Sequence, residues 1–224
     1  MSRAQPAHVV LVLGNWLNGR EASLMRRRLT DRYQINARQI SYRIARASLA
    51  QNINVLRDFV AEDIRPRAGA EVHFVAHGLG AVITLAMLSE WSSAPAGRVV
   101  SLGAPLGSIE AMQRLAGLVG EDGLMSQSLE HFSLDWQSLC DREIGGIAGT
   151  LGTTLGRVIA SLPEPNDGSV TVDETRIDSL ADHIRLGATH TELLTSREVI
   201  DQVVHFLLNA RFDRTRKSQQ PLQR

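Results

Sequence analysis

The 224-residue chain is 43% hydrophobic and 21% charged, ordinary usage for a globular protein with a full core. Lysine plus arginine and aspartate plus glutamate both total 24, so the net charge is zero, which argues against a nucleic-acid or anionic-membrane partner. Cys140 is the only cysteine, so no internal disulfide forms and no metal site is built from thiols; neither a metal nor an organic cofactor is expected.

In chain order, Val9-Val10-Leu11-Val12-Leu13 is a continuous apolar run typical of a central strand covered on both faces. It is too short for a signal sequence or a membrane span, and the expectation is a soluble, cytoplasmic protein. Gly14-Asn15-Trp16-Leu17-Asn18-Gly19 ends the strand in a loop. Glu21 to Tyr33 carries Ala22, Leu24-Met25 and Leu29 at helical spacing, and Arg26-Arg27-Arg28 reads as its solvated face. Ile35 to Tyr42 reads as a short strand. Ser48 caps a helix to about Ile64 with Leu49, Ile53, Leu56, Phe59 and Val60 as its buried stripe.

The next stretch organises the chain. Val72, Phe74 and Ala76 alternate in a short apolar strand, and small residues at 76, 78, 80 and 81 turn it directly into an apolar helix. Such a corner has the form of the G-x-S-x-G nucleophile elbow, written here Ala76-His77-Gly78-Leu79-Gly80, with glycine where the serine would stand. A tight strand-to-helix turn without catalytic ancestry is the plainer alternative. Glycine adopts the strained elbow backbone without penalty, whereas other residues adopt it at a cost of ~1–3 kcal/mol. Gly78 is therefore compatible with the fold while lacking the attacking oxygen. The backbone N–H of Leu79 and one from the first loop, at Asn15 or Trp16, are the candidate oxyanion donors.

Arg98 to Leu102 is the next strand, ending in Gly103-Ala104-Pro105-Leu106-Gly107-Ser108. Residues 110–142 read as helical, with Leu115, Leu118 and Val119 apolar, and are a candidate cap over the pocket. Ile144 to Thr150 reads as another strand, and 152–162 is ambiguous. Pro163 to Val172 places an Asp-Gly turn before a β-rich segment. Asp182 to Thr191 gives a short strand and then a loop histidine, and Ser196 caps a final helix from Arg197 to about Ala210. The order elbow, Asp167, His190 is that of the α/β-hydrolase triad. Asp167 read alone is a turn residue, and Asp173, Asp178 and Asp182 compete with it as the acid.

The chain resembles the small lipase- and esterase-like α/β-hydrolases. Beside the elbow, the resemblance is carried by Leu102-Gly103-Ala104-Pro105 with Gly107-Ser108, by Asn166-Asp167-Gly168-Ser169-Val170-Thr171-Val172-Asp173-Glu174-Thr175-Arg176, and by Asp182-His183 followed by Thr189-His190-Thr191. It runs from about Val9 to Phe212. It implies Asp167 as the acid, His190 as the general base and position 78 as the nucleophile. Leu13 stands where related enzymes often carry a histidine, a second departure.

The expected fold is a single-domain α/β-hydrolase over 1–212, with a mostly parallel sheet, helices on both faces and a polar tail over 213–224. The expected chemistry is carboxylic-ester hydrolysis on a scaffold that Gly78 leaves inactive or nearly so. The alternatives are a pseudo-hydrolase that binds an apolar or ester-like ligand or a partner protein, and a hydrolase in which His190 activates water directly. The partner expected is a small acyl ester, and the even spread of apolar residues says nothing of oligomeric state.

Overall fold

Apolar residues run almost continuously through the central strands, so that each strand must be covered on both sides. A computed structural model describes residues 8–13, 20–40, 47–64, 69–119, 124–130, 132–134, 137–139, 141–152 and 162–215. The strands are β1 (His8–Leu13), β2 (Ala37–Gln39), β3 (Val72–His77), β4 (Val99–Leu102), β5 (Ile144–Gly149) and β6 (Asp182–Leu186). They form one sheet in the order β2-β1-β3-β4-β5-β6, and every pairing is parallel. The chain leaves β1 on one side to reach β2 and crosses to the other for β3. This switch point, with the carboxyl ends of β1 and β3 side by side, is where ligands bind in open parallel sheets.

The two sheet faces hold separate cores. Val10 and Val12 pack with Phe74 and Ala76 under α2 (Leu49–Asp58), α3 (Leu79–Glu90), α4 (Ile109–Val119) and α5 (Leu124–Ser128). Val9 and Leu11 pack with Val75 and Val100 against α1 (Arg20–Tyr33) and the final helix, α6 (Arg197–Asn209). Residues Leu79 to Leu88 of α3 are all buried, as expected of a helix that is apolar all round. None of the helices among the described residues is long and apolar enough to cross a membrane.

Local chemistry sets the boundaries. Ser48 Oγ accepts from Gln51 N at 3.3 Å and Gln51 Oε1 accepts from Ser48 N at 2.9 Å, a reciprocal cap that starts α2. The helix runs on to Ile64, but its last stretch, Phe59–Ile64, widens to a π-helix. Three expectations change. The second strand is only Ala37–Gln39, and positions 41 and 42 lie outside the described residues. The described residues of 110–142 form not one helical run but α4, α5 and a 3-10 turn at Gln137–Leu139. The β-rich reading of 169–172 gives way to a single antiparallel bridge, Asn166 with Thr171, followed by a 3-10 turn at Asp173–Thr175. Asp167 Oδ1 accepts from Ser169 N and Val170 N, which takes those donors away from any strand ladder. Residues 153–161 and Cys140 lie outside the described residues.

Candidate active site

β3 delivers the chain to the carboxyl edge of the sheet and α3 takes it away again, with Gly78 as the whole of the connection. Gly78 sits at φ 54°, ψ −127°, a backbone conformation that a side chain adopts only under strain. Its N–H donates to Leu102 O at 3.0 Å, pinning the corner to the end of β4. Leu79 follows as the first residue of α3, where an N–H has no acceptor within the helix. The other two oxyanion candidates, Asn15 and Trp16, lie outside the described residues.

Asp167 and His190 meet at this corner. Asp167 lies in the tight loop before the 3-10 turn, and its Oδ1 is held by the Ser169 and Val170 N–H groups at 2.9 and 2.8 Å. His190 lies in the loop after β6, which is closed by Thr189 N to Glu192 Oε2 at 2.9 Å and Glu192 N to Thr189 Oγ1 at 3.3 Å. The two loops are joined by His190 N donating to Asp167 O at 2.8 Å. The side chains join too: His190 Nδ1 lies 2.8 Å from Asp167 Oδ2. An ionised carboxylate only accepts, so a proton is on Nδ1, and in the neutral ring Nε2 carries the free lone pair.

The pair is buried, Asp167 to 1% exposure and His190 to 7%. Burial works to raise the Asp167 carboxyl, but the His190 ring beside it and the two backbone donors outweigh this and hold it below the usual carboxylate range. Nε2 points at the corner. A Cβ built on Gly78 would lie 3.4 Å from His190 Nε2 and 3.7 Å from His190 Cε1, ordinary contact distances. A hydroxyl one bond further on can reach Nε2 as a hydrogen-bond donor. The space and the base suit a serine, although the residue is glycine.

The neighbours serve the pair in other ways. His77 stacks on His190, with ring centroids 4.2 Å apart, and its Nε2–H donates to His190 O at 2.9 Å. Burial, and then the nearby His190, depress the His77 pKa to about 3, so the ring is neutral. Gly103, at the end of β4 with φ 52°, leaves the space that the pair fills: a Cβ there would lie 2.7 Å from Asp167 Oδ2 and 2.9 Å from His190 Nδ1. Gly149, at the end of β5, does the same for the base of the Asp167 side chain, its own Cβ position being 2.7 Å from Asp167 Cβ. The sequence shows Gly103 ending its strand but does not give it this role. The only signal was a glycine ending each of these strands.

The competing acids lie elsewhere. Asp173 and Asp178 are exposed. Asp182 accepts from Phe212 N at 2.8 Å and from Arg214 at 2.5 and 2.9 Å, tying the chain after α6 to β6. Ser108 Oγ accepts from Ala111 N at 3.1 Å and starts α4, so it is a cap and not a spare nucleophile. His73 Nδ1 accepts from Arg98 N at 3.0 Å at the far end of β3. A cleft of about 310 Å³ between α1 and α6, lined by Arg28, Arg197 and Ile200 among others, lies on the opposite sheet face and takes no part here. Among the described residues there is no group of three or more His, Cys, Asp or Glu side chains able to hold a metal ion.

No protein-family model matches the sequence, and no curated protein matches it significantly. Solved structures do match. The mature lipase BlEst2 from Bacillus licheniformis superposes with a TM-score of 0.73 at 16% identity, over 92% of this chain and 93% of that one. The metagenomic carboxyl esterase MGS0156 gives 0.60 at 21% identity, over 84% of this chain and 65% of its own. Phospholipase PlaB from Legionella pneumophila, in complex with thio-NAD, gives 0.60 at 14% identity, over 91% and 62%. With an all-parallel sheet, a glycine corner between β3 and α3, and structural neighbours that are lipases and esterases, the chain has the α/β-hydrolase fold.

Proposed function

We propose that this chain is the scaffold of a serine-type carboxylic-ester hydrolase, with Asp167 and His190 as acid and base, and with the nucleophile position occupied by Gly78. As it stands it turns over esters barely or not at all. One observation carries the reading: the lone pair of His190 Nε2 faces the place where a side chain at 78 would begin, at 3.4 Å. A histidine kept only for packing has no need of a buried carboxylate on one nitrogen and an open approach on the other.

With serine at 78 the chemistry follows. As Oγ attacks the ester carbonyl carbon, its proton passes to His190 Nε2, and Asp167 stabilises the resulting imidazolium. The proton then goes to the departing alkoxide as the C–O bond breaks, leaving an acyl-serine. Water repeats the sequence and frees the acid. The negative charge on the carbonyl oxygen falls to the Leu79 N–H and to a second donor from the first loop, for which Asn15 and Trp16 are the candidates. No metal or organic cofactor enters. With glycine at 78 only water remains for His190 to activate, and in serine hydrolases the activity left without a nucleophile is about 10³–10⁴-fold over water.

The test is ester hydrolysis by the chain and by Gly78→Ser, side by side with a fluorophosphonate label. Turnover of p-nitrophenyl acetate and labelling in the serine form alone support the proposal. Silence in both forms favours a binding protein without turnover. Full activity in the glycine form places the nucleophile elsewhere.

A further inference from the structure

The Cβ position at 78 has a second neighbour. Leu115 Cδ2 lies 3.4 Å from it, as close as His190 Nε2. The imidazole and the isobutyl group therefore flank the nucleophile carbon together, and Leu115 is itself buried to 1% exposure.

Leu115 is on α4, which is fixed in several places. Ser108 caps its start, and Gly107 N donates to Glu174 O at 2.8 Å. Arg114, adjacent to Leu115, donates to both carboxylate oxygens of Glu174 at 2.9 and 2.8 Å. Glu174 in turn accepts from Thr171 N at 2.8 Å. Met112 and Ala116 bury the same side of the helix. The segment that holds Glu174 is continuous with the one that holds Asp167, so Leu115 and the acid–base pair belong to one braced unit.

We propose that Leu115 is a fixed wall of the acyl site and restricts this scaffold to esters of short acyl groups, in the acetyl-to-butyryl range. The inference rests on the hydrolase reading above. The acyl carbon of an acyl-serine is two bonds from Cβ, so an acyl chain begins within contact of the Leu115 methyl groups. Short acyl groups end there. Longer ones meet a side chain whose helix is held by a part-buried cap and an ion pair, and both would have to be displaced.

The experiment compares kcat/KM for p-nitrophenyl acetate and p-nitrophenyl octanoate in full-length Gly78→Ser, alone and combined with Leu115→Ala or Leu115→Val. Gly78→Ser alone favours acetate. Leu115→Ala raises the octanoate-to-acetate ratio by about tenfold or more, the size of effect that pocket-wall methylene groups exert, and Leu115→Val raises it by less. Melting curves establish that each variant is folded, and Val is the smaller perturbation should Ala unfold the protein. A ratio that stays put or falls in folded variants overturns the inference, as does equal use of both esters by Gly78→Ser. If Gly78→Ser neither hydrolyses any ester nor takes a fluorophosphonate label, the hydrolase reading fails and this inference with it. Labelling and turnover without any effect of residue 115 remove this inference alone.

Discussion

His77 and His190 lie ring against ring, 4.2 Å between centroids and tilted by 44°, while His77 Nε2–H donates to the His190 carbonyl oxygen at 2.9 Å. One residue of the elbow thus supports the base through both its ring and its backbone. The arrangement requires His77 to stay neutral, since a second cation against His190 would oppose the imidazolium that forms during acyl transfer.

That requirement has a pH signature. His77 has its pKa lowered to about 3 from 6.5, by burial first. Between those values the unfolded chain binds a proton that the folded chain does not. Stability is therefore complete above pH 6.5 and falls as the pH drops toward 3, with a slope approaching about 1.4 kcal/mol per pH unit from this residue. His183, lowered to about 4, and His73, also lowered, act in the same sense. Urea midpoints measured from pH 7.5 to 5 should fall, and His77→Gln should flatten the curve. A profile that His77→Gln leaves unchanged would mean that the ring is not the titrating group.

Gly78→Ser should cost stability even as it supplies the nucleophile. No neighbour lies closer than 3.4 Å to the new Cβ, so crowding adds little. The backbone at φ 54°, ψ −127° is the remaining cost, about 1–3 kcal/mol for a residue with a side chain. Thermal denaturation should show a lower Tm than the parent, with Gly78→Ala lowered equally. A serine form as stable as the parent would show that this backbone carries no strain.

Gly103 and Gly187 make a matched pair of tests. A Cβ at 103 would lie 2.7 Å from Asp167 Oδ2 and 2.8 Å from Leu193 Cδ1, at a positive φ, whereas at 187 nothing lies within 4 Å. Gly103→Ala should therefore unfold the protein or force the Asp167–His190 pair apart, and Gly187→Ala should melt within about 0.5 kcal/mol of the parent. Equal melting temperatures for the two would contradict the packing of the pair on β4.

Much of this was legible before the structure. The near-continuous apolar runs of β1, β3 and β4 reveal a doubly covered parallel sheet because burial on both faces leaves little room for polar positions. Asn166-Asp167-Gly168 is legible as a turn because its chemistry is local, whereas Asp167 and His190 stand out as a candidate acid and base only through the order of the motifs and the family resemblance. What was not legible depends on distant partners. Ser169 to Val172 has the composition of a strand, yet its amides are claimed by Asp167 Oδ1, and composition cannot say where a side chain sends its acceptor. Leu115 reads only as one apolar residue of a helical segment that is a candidate cap over the pocket. That its methyl group borders position 78 follows from how α4 is braced against the acid loop, a contact between residues far apart in sequence.

Asp167 and Asp182 can be told apart by the same substitution in the Gly78→Ser background. Asp167→Asn keeps an oxygen for the Ser169 and Val170 amides, so the loop can hold. Its NH₂ group, however, faces His190 Nδ1 and requires a lone pair there, which moves the imidazole proton to Nε2 and leaves nothing to accept the serine proton. In a serine-protease triad the corresponding change lowers kcat about 10⁴-fold, and a loss of similar order is expected here with only a small change in Tm. Asp182→Asn loses the charge that binds Arg214 and weakens the anchor of Phe212, far from the pair. It should lower Tm while ester turnover persists. If Asp182→Asn abolished turnover in a folded protein and Asp167→Asn did not, the acid would be Asp182 and the geometry around His190 would have to serve another purpose.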